Sequence, residues 1–404
     1  MINFRKDLRS GRPLWADSSR TGVPHAVSPP RRFWDVVVVG AGISGALVAY
    51  RLSRMGKSVL VLDRRPPVSG STLASTALIQ WEIDEPLTAL ADKLGSRHAF
   101  EAYRAAFEAV SGLKRTIAEA RIPCRWNDRE AVYLAGDGLG HRALQEEERL
   151  RRRAGLPSRY VDGNSLLAEA GFDRTGALVS EGAGEVDPAQ LAAGLLRRAV
   201  ENGAVVASPV EITTAECGGG VVALGDAEGR IHLARRAIFA TGYETLKSIP
   251  ADAFSIISTW AIATTPVKGA PWPKRRIVWE ASDPYLYLRT TADGRIVAGG
   301  EDADFSTPKA RDKAIDRKSR TIARKLAKLL PHVEFDVAYA WTGCFAESPT
   351  GLPYIAEPPG FPGCLAVLGS GGNGITFSMV ASDIAADWVD GRRHPAAHLF
   401  EGEA

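Results

Sequence analysis

The sequence predicts an α/β protein, α+β overall, in which a Rossmann-like dinucleotide-binding domain is joined to a second domain built on a mainly antiparallel sheet. From Asp35 onward, short apolar strands alternate with helical patterns, as in a parallel sheet flanked by helices. Between Ser255 and Gly300, strands follow one another across turns that contain Pro or Asp and Gly, which is typical of antiparallel pairing. The chain has 404 residues, enough for two or three domains.

The first unit has the order strand, glycine turn, helix, strand. Val36–Val39 is a β-branched run, as in a strand that is buried on both faces. The turn is Gly40–Gly45, and a helix is predicted over Ala46–Arg54 with Gly56 ending it. The second strand is predicted over Ser58–Leu62. This order predicts two parallel strands joined by a helix.

The remaining segments are mostly helical or irregular. The section from Pro86 to Ala154 is predicted to be mainly helical, and its very polar part, His141–Arg153, is predicted to be a solvated surface helix. Further helices are predicted over Gln190–Asn202 and, with a basic solvated face, over Pro308–Leu330. Residues 1–34 lack periodicity and are predicted to form an extension that lies over the surface or is partly disordered.

Composition and charge argue against several classes of protein, including those that bind nucleic acid or a membrane surface. Hydrophobic residues make up 45% of the chain, and the net charge of +3 is too small to indicate nucleic acid or a membrane surface as a partner. The four cysteines are scattered without a CxxC pair, which argues against zinc or a disulfide framework and favours a reducing compartment. No apolar run suggests a signal peptide or a membrane span, so we expect a cytoplasmic protein.

The glycine turn matches the dinucleotide motif GxGxxG. Gly40 allows the tight turn, Gly42 lets the backbone approach a pyrophosphate, and Gly45 lets the helix pack closely on the strand. The following helix N-terminus offers free N–H groups and the positive end of its dipole to phosphates. Asp63, at the end of the second strand, can accept hydrogen bonds from ribose hydroxyls. Together these features predict a bound dinucleotide.

Five further motifs follow in a fixed order. They are the small-residue loop Gly70–Thr76, the A-x-G turn Ala240–Gly242, W-x-G at Trp341–Gly343, G-x-P at Gly351–Pro353, and the glycine-rich Gly369–Thr376. With GxGxxG, they resemble the D-amino-acid oxidase (DAO) family of FAD-dependent flavoproteins, which includes glycine, sarcosine and related amine oxidases. The resemblance covers nearly all of Asp35–Trp388. One departure is Thr350, where the family usually has Asp, and we expect one weakened turn hydrogen bond there.

The resemblance implies FAD in a domain of the glutathione-reductase type. The FAD-binding domain is predicted from residues 35–84, 175–246 and 337–392, and a substrate domain from 85–174 and 247–336. The last glycine turn is implied to aim a helix N-terminus at the pyrimidine edge of the flavin. The predicted cofactor-binding residues are Gly40, Gly42, Ile43, Ser44, Gly45, Asp63, Arg64, Ser71, Thr72, Ala74, Ser75, Thr76, Val210, Ala240, Thr241, Gly242, Gly343, Gly351, Pro353, Gly369, Gly371, Gly372, Asn373, Gly374, Ile375 and Thr376.

The resemblance also implies the chemistry, which is oxidation of the C–N bond of an amine or amino acid by hydride transfer to the flavin. The product is an imine that hydrolyses. This chemistry requires no catalytic base, so no catalytic residue is assigned. Oxygen or another electron acceptor remains open, because Arg295–Gly299 holds no obvious counterpart of the Lys that activates oxygen in sarcosine-type enzymes.

An Arg that would bind a substrate carboxylate is missing from the family positions. After W-x-G the chain has Cys344 and Phe345, and Gln80 and Thr376 are neutral where sarcosine-oxidase-like proteins have basic residues. The missing Arg favours an amine, or an amino acid bound in an unusual way. FAD is predicted to be bound non-covalently, since the attachment candidate Cys344 is displaced by about one residue from the family position.

Arg289 remains as the candidate cation. Strand alternation places it on one face with Tyr285 and Tyr287, opposite Leu286 and Leu288. This face lines the pocket over the flavin or is an ordinary sheet surface, and both interpretations stay open. Aromatic rings suit an apolar or cationic amine. The predicted substrate-pocket residues are Gln80, Trp81, Tyr285, Tyr287, Arg289 and Phe345.

Other functions are weighed against this one. A flavoprotein that uses NAD(P)H would need a second nucleotide site or a CxxC pair, and the sequence has neither. An FAD-binding subunit that is non-catalytic or depends on a partner is the main alternative, together with a dehydrogenase whose acceptor is not oxygen. The oligomeric state is not predicted.

Overall fold

The computed structural model describes residues 2, 6–244, 246–250, 253–305 and 307–402. The strands in this part of the chain are β1 (Arg9–Gly11), β2 (Trp34–Val39), β3 (Val59–Leu62), β4 (Leu78–Ile79), β5 (Asn127–Leu134), β6 (Ser158–Asp162), β7 (Gly176–Glu185), β8 (Val205–Ala207), β9 (Ile212–Gly218), β10 (Val221–Asp226), β11 (Ile231–Gly242), β12 (Ser255–Thr264), β13 (Ile277–Glu280), β14 (Leu286–Thr290), β15 (Ile296–Ala303), β16 (Val337–Glu347), β17 (Tyr354–Ala356) and β18 (Cys364–Leu368). The helices are α1 (Ile43–Arg54), α2 (Leu87–Leu94), α3 (Ser96–Glu119), α4 (His141–Arg153), α5 (Gly163–Ala170), α6 (Pro188–Glu201), α7 (Pro308–Lys313), α8 (Ile315–Leu329) and α9 (Gly374–Val389).

The smaller sheet has eight strands within the described ranges. Its order is β17-β18-β11-β2-β3-β8, with β10 paired to β11 and β9 paired to β10. The five strands from β18 to β8 run parallel. All four residues of β3 are fully buried, as expected for a parallel strand that is covered on both faces. The predicted Rossmann-like sheet is confirmed.

The glycine turn brings α1 against this sheet. The helix begins at Ile43, earlier than the predicted start at Ala46, because the turn is complete at the N-cap residue Gly42. A Cβ on Gly45 would lie 1.8 Å from the carbonyl oxygen of Gly40, so only glycine permits this approach. Helices α6 and α9 pack beside α1. The close packing holds the N-terminus of α1 at the end of β2.

The larger sheet has ten strands in the described part of the chain, in the order β1-β16-β12-β15-β14-β13-β5-β7-β4, with β6 paired to β7. Its described pairs are antiparallel except β13 with β5, so the predicted mainly antiparallel sheet is confirmed. Helix α8 covers one face. Ile322, Leu326 and Leu329 of this helix share an apolar core with Leu286 and Leu288 of β14.

Sheet membership differs from the predicted domain ranges. Strands β4, β7 and β16 fall within the ranges predicted for the FAD-binding domain, but they belong to the ten-stranded sheet. Strand β5 lies inside the section predicted to be mainly helical, because its pairing with the distant β7 overrides local propensity. The division into two domains stays a prediction, and these strands are where sheet membership departs from the predicted ranges.

The N-terminal extension is built into the larger sheet. Strand β1 pairs antiparallel with β16, with Arg9 opposite Gly343. The Arg9 Nε–H donates to the carbonyl of Ser69 at 3.0 Å, and the Trp15 indole N–H donates to the carbonyl of Ser75 at 2.6 Å. We call residues 6–15 the N-terminal strap, since they cross the small-residue loop that follows β3.

Two helices differ from their prediction. Helix α4 has the predicted bounds, but it is not solvated all round, because Glu147 and Arg151 are fully buried as an ion pair of 2.8 Å. Glu147 also accepts two backbone N–H groups at the start of α2. The single helix predicted over Pro308–Leu330 is divided at Ala314 into α7 and α8. None of the described helices is long and apolar enough to cross a membrane.

Candidate active site

A long cavity lies between the two sheets. It encloses about 1840 Å³ of non-protein space, its open mouth included. One end, which we call the dinucleotide end, is lined by Gly40, Gly42–Ser44, Asp63–Arg65 and Ala240–Glu244. The other, which we call the aromatic end, is lined by residues of the larger sheet and its loops, namely Thr259, Trp279, Tyr285, Tyr287 and Phe345.

Most residues that the sequence predicted to bind the cofactor line this one cavity. They come from seven separate segments of the chain, which the fold brings together. The residues are Gly40, Gly42, Ile43, Ser44, Asp63, Arg64, Ser71, Thr72, Ala74, Ser75, Thr76, Val210, Ala240, Thr241, Gly242, Gly343, Gly371, Gly372, Asn373, Gly374 and Ile375. Their individual contacts with a cofactor stay predictions.

Some predicted residues support the cavity wall without lining it. The Thr376 hydroxyl donates to the carbonyl of Gln80 at 2.9 Å and is buried. In the turn after β16, the N–H of Leu352 donates to Thr350 Oγ1 at 3.4 Å, so Thr supplies a long turn hydrogen bond where the family has Asp. The predicted cofactor residues outside the lining are Gly45, Gly351, Pro353, Gly369 and Thr376.

The glycine turn leaves open space at the dinucleotide end. Gly40 has φ +116°, and a Cβ there would lie 2.2 Å from the carbonyl oxygen of Ala240. The N-cap Gly42 has no side-chain cap, and the N–H of Ile43 donates to Thr72 Oγ1 at 3.0 Å. The N-terminus of α1 therefore meets the cavity through backbone atoms, as a phosphate site requires.

Charged groups at the dinucleotide end have protein partners. The Asp63 carboxylate accepts the N–H of Ala41 at 2.7 Å and the N–H of Arg65 at 2.8 Å. Burial raises the pKa of Asp63, and these two hydrogen bonds oppose that rise. Glu244 is 4% exposed and forms ion pairs with Arg64 and, at 2.9 Å, with Arg65. Both oxygens of Asp63 keep a lone pair for a ribose hydroxyl.

The turn before α9 is fastened to residues 80–84. The N–H of Gly372 donates to Asp84 Oδ2 at 2.8 Å, and the Asn373 side-chain amide donates to the carbonyl of Glu82 at 2.8 Å. The hydrogen bond of Thr376 to residue 80 makes a third link. These links fix the carboxylate of Asp84 in the cavity wall, next to the N-terminus of α9.

The aromatic end holds four rings and an orphan donor. The rings of Tyr285 and Tyr287 lie 5.7 Å apart, and Trp279 stacks on Tyr133 at 3.7 Å between centroids. Burial raises the pKa of both Tyr285 and Tyr287, so they are neutral hydroxyls. The indole N–H of Trp279 has no hydrogen-bond partner among the described residues. Phe345 completes this wall from β16.

Arg289 and Trp81 were predicted in the substrate pocket, but neither lines the cavity. Arg289 is 2% exposed, and its guanidinium donates to the carbonyls of Thr76 at 2.6 Å and Val186 at 2.7 Å. It lies 5.0 Å from the ring of Trp15. Burial lowers the pKa of Arg289 to about 10. Trp81 is fully buried and donates to a backbone carbonyl at 2.8 Å. Strand alternation predicted that Arg289 shares a face with the two tyrosines, but the N-terminal strap covers the Arg289 side chain.

Three carboxylates, which we call the acidic group, are Asp84, which lines the cavity, and Asp302 and Glu347, which are not among the residues that line it. The Tyr285 hydroxyl donates to Asp302 Oδ2 at 2.8 Å. Burial, with the nearby charge of Asp84, raises the pKa of Asp302 to about 6. Burial and then the charges of Asp84 and Asp302 raise the pKa of Glu347 to about 7. The charge of Asp84 therefore opposes the ionisation of both Asp302 and Glu347.

The sequence did not identify several residues that line the cavity. Glu244 lies two residues after the A-x-G turn, and Trp279 lies on a predicted strand, so the sequence near each residue could have indicated a place at the cavity. Thr259, Asp84 and Leu8 had none. They reach the cavity through strand pairing and through the hydrogen bonds that fasten residues 80–84 to the last glycine turn.

The residues present fit the FAD that the motifs imply. The N-termini of α1 and α9 meet the cavity, and in neither helix does the N-cap residue supply a side-chain cap. Buried polar atoms in the wall, including Ser71 Oγ and Asn373 Oδ1, have no hydrogen-bond partner among the described residues. Such orphan groups in a native fold indicate a ligand that the protein is built to receive.

Comparison with known proteins identifies the family. The model of the family described as FAD dependent oxidoreductase, DAO, matches residues 35–388. Glycine oxidase of Geobacillus kaustophilus is 24% identical over 375 residues, which cover 88% of this chain and 93% of that protein. Its crystal structure has a TM-score of 0.75 at 18% identity, covering 93% of this chain and 100% of that chain. L-proline dehydrogenase from P. horikoshii also has a TM-score of 0.75 at 18% identity, covering 91% and 96%.

The chain therefore belongs to the DAO family of FAD-dependent oxidoreductases. The predicted family, the fold class and the class of enzyme, an FAD-dependent oxidoreductase related to amine and amino-acid oxidases, are confirmed. FAD is the cofactor.

Proposed function

We propose that this oxidoreductase oxidises the C–N bond of a small amine that lies at the aromatic end of the cavity. The observation that carries the proposal is that Tyr285, Tyr287 and Phe345 line the same cavity as the glycine turn of the dinucleotide end. Of the described residues that line the cavity, Arg64 and Arg65 are the cationic ones, and both pair with Glu244 at the dinucleotide end. This arrangement favours an amine over a simple α-amino acid.

When bound, FAD supplies a two-electron acceptor: the carbon beside the substrate nitrogen loses hydride, the nitrogen lone pair forms C=N, and water hydrolyses the imine to a carbonyl compound and an amine. The chain supplies orientation and desolvation. Tyr285, Tyr287 and Phe345 enclose the reacting carbon and exclude water, which lowers the pKa of a substrate ammonium and favours the neutral amine. The N-terminus of α9 directs its positive dipole end into the cavity.

We propose that FAD is bound non-covalently. Cys344 lines the cavity, but its thiol donates to the carbonyl of Leu8 in the strap, at 3.6 Å. Burial raises the pKa of this thiol, which disfavours the thiolate that attachment needs. We propose that the electron acceptor is oxygen or another oxidant and that the protein works in the cytoplasm. Both proposals come from the sequence.

Anaerobic reduction of the bound flavin tests the function. Purified holoprotein is mixed with a panel of primary amines, secondary amines and amino acids, and flavin absorbance is followed. We expect bleaching by amines, return of the oxidised spectrum on admitting air if oxygen is the acceptor, and release of the flavin on acid precipitation. A flavin that no amine and no amino acid reduces would overturn the proposal and favour a non-catalytic subunit.

A further inference from the structure

We propose that the N-terminal strap is part of the cofactor site and that its docking is coupled to FAD binding, so that each stabilises the other. The strap, residues 6–15, lies outside the residues 35–388 that the family model matches. The coupling concerns FAD alone, so it goes beyond the proposed function and holds for any substrate. Three sets of contacts support it: those of Lys6, those of Leu8, and those of the side chains of Arg9 and Trp15.

Lys6, the first residue of the strap, takes part in the polar network at the dinucleotide end. Its N–H donates to Glu244 Oε1 at 2.9 Å, and its carbonyl accepts from the guanidinium of Arg65 at 3.0 Å. Both partners line the cavity. Arg65 lies shortly after β3 and Glu244 shortly after β11, two strands of the smaller sheet. The backbone of the strap therefore joins two segments that leave the dinucleotide-binding sheet at the cavity.

Leu8 is itself a residue of the cavity wall, and it is 6% exposed. Its carbonyl accepts the N–H of Cys344, which also lines the cavity, at 3.1 Å. A Cβ added to Gly343 would lie 3.8 Å from this carbonyl oxygen and 3.1 Å from the Cβ of Ala74. The strap, β16 and the small-residue loop thus meet at one place. Withdrawal of the strap would remove Leu8 from the wall and leave the N–H of Cys344 without its acceptor.

Two strap side chains hold the small-residue loop after β3. The Arg9 Nε–H donates to the carbonyl of Ser69 at 3.0 Å, and the Trp15 indole N–H donates to the carbonyl of Ser75 at 2.6 Å. Thr72 lies between these two carbonyls, lines the cavity, and accepts an N–H at the start of α1 at 3.0 Å. The strap therefore fixes a loop that contacts both the cavity and the glycine turn.

The strap is also anchored in the larger sheet. As β1 it pairs with β16, with Ser10 opposite Thr342, and the carbonyl of Asp7 accepts from the fully buried guanidinium of Arg311. The strap thus connects the larger sheet with segments of the smaller one, and the cavity lies between the two sheets. Bound FAD and the docked strap both order these same walls. Whichever is bound first lowers the entropy cost for the other, and this coupling is reciprocal.

Limited proteolysis measures the effect of FAD on the strap. Trypsin can cut the bond between Arg9 and Ser10 only when the strap opens locally. We expect this cleavage to be at least about tenfold slower with saturating FAD than in the same full-length chain after removal of its flavin. The bond between Arg31 and Arg32, which are exposed in the same N-terminal extension, is the internal control. Its cleavage should change less than about twofold.

A glycine variant measures the reverse effect, that of the strap on FAD. Gly11 does not line the cavity, and a Cβ there would lie 2.6 Å from the carbonyl oxygen of Ala340, at φ +79°. Gly11→Ala should therefore loosen the pairing of β1 with β16 and speed FAD release at least about tenfold, as followed by the fluorescence of free FAD. Gly22→Ala is the matched control, because a Cβ there meets nothing within 4 Å.

A second variant guards against misfolding of the first. Arg9→Ala removes one hydrogen bond to the small-residue loop, and we expect FAD release to be about fivefold faster. Arg31→Ala removes an exposed charge from the same extension and should leave the rate unchanged. Excess FAD should restore full occupancy in both strap variants, measured by flavin absorbance, which a misfolded chain could not show.

Two results would overturn the coupling. The first is release of FAD from Gly11→Ala and Arg9→Ala at the rate of the unchanged protein. The second is equal protection by FAD of the bond after Arg9 and the bond after Arg31, because FAD would then stabilise the chain as a whole and not the strap in particular. Neither result bears on the proposed function, which is tested by the reduction of bound flavin by amines.

Discussion

The two ends of the cavity differ in how their polar groups are satisfied. At the dinucleotide end, Asp63 accepts two backbone N–H groups and Glu244 pairs with two arginines. At the aromatic end, the amide oxygen Oε1 of Gln80 and the indole N–H of Trp279 have no hydrogen-bond partner among the described residues. The charged groups of the first end are therefore held by the protein itself, whereas polar atoms of the second end are left for a ligand to satisfy.

The largest expected effect comes from disturbing the dinucleotide end. In Gly45→Ala the new Cβ would lie 1.8 Å from the carbonyl oxygen of Gly40, so α1 must move away from β2. We expect loss of most bound FAD and a fall of more than about 3 kcal/mol in the free energy of unfolding. Flavin-to-protein absorbance ratios and urea unfolding measure both. Gly218→Ala on the same sheet is the control, because a Cβ there meets nothing within 4 Å. A variant that keeps full FAD content would show that this close approach is dispensable.

Replacing Arg289 tests whether this side chain supports the cavity wall or binds substrate. Arg289 donates to the carbonyls of Thr76 and Val186, so its replacement by Ala should lower the free energy of unfolding by about 3 kcal/mol. The buried carbonyls would lose their donor, and Glu185 would lose one of its two cationic neighbours. Arg289→Lys restores the charge without the planar fork and should recover only part of the loss. A stable Arg289→Ala protein with weakened binding of carboxylate-bearing substrates only would instead return Arg289 to the substrate pocket.

The smallest effect concerns the pH dependence of stability at Glu347. The pKa of Glu347 is raised from 4.5 to about 7, so this group favours the folded protein at low pH, and that contribution is lost as pH rises through about 7. Glu347→Gln should therefore raise the free energy of unfolding at about pH 8 by about 1 kcal/mol, a value reduced for solvent screening, and by much less at about pH 5. Thermal unfolding at the two pH values measures this. A stabilisation that is equal at both pH values would show that the ionised carboxylate of Glu347 does not destabilise the folded protein.

Local signals in the sequence predicted the dinucleotide end well. The glycines of the first turn and Asp63 are close in sequence, and their spacing is set by the geometry of one strand, turn and helix. Alternation correctly separated Tyr285 and Tyr287 from Leu286 and Leu288, because a strand has only two faces.

The positions of Arg289 and Asp84 depend on contacts with distant parts of the chain, which the sequence did not predict. Alternation placed Arg289 on the face of the tyrosines, but the ring that covers it, Trp15, comes from the distant strap. Asp84 carries no motif, and it reaches the cavity because the turn at Gly372 binds it. The charge of the substrate pocket depends on such contacts, which no local pattern reveals.

The strap also sets the order in which the molecule can be completed. Leu8 and Cys344 are joined by hydrogen bonds across 336 residues, so the strap cannot form these bonds until the chain has been synthesised through Cys344. Until β16 exists, β1 has no neighbour to pair with. The larger sheet thus gains this edge strand only after β16 has been synthesised, and the wall around Cys344 is finished after the glycine turn of Gly40–Gly45 has had time to form.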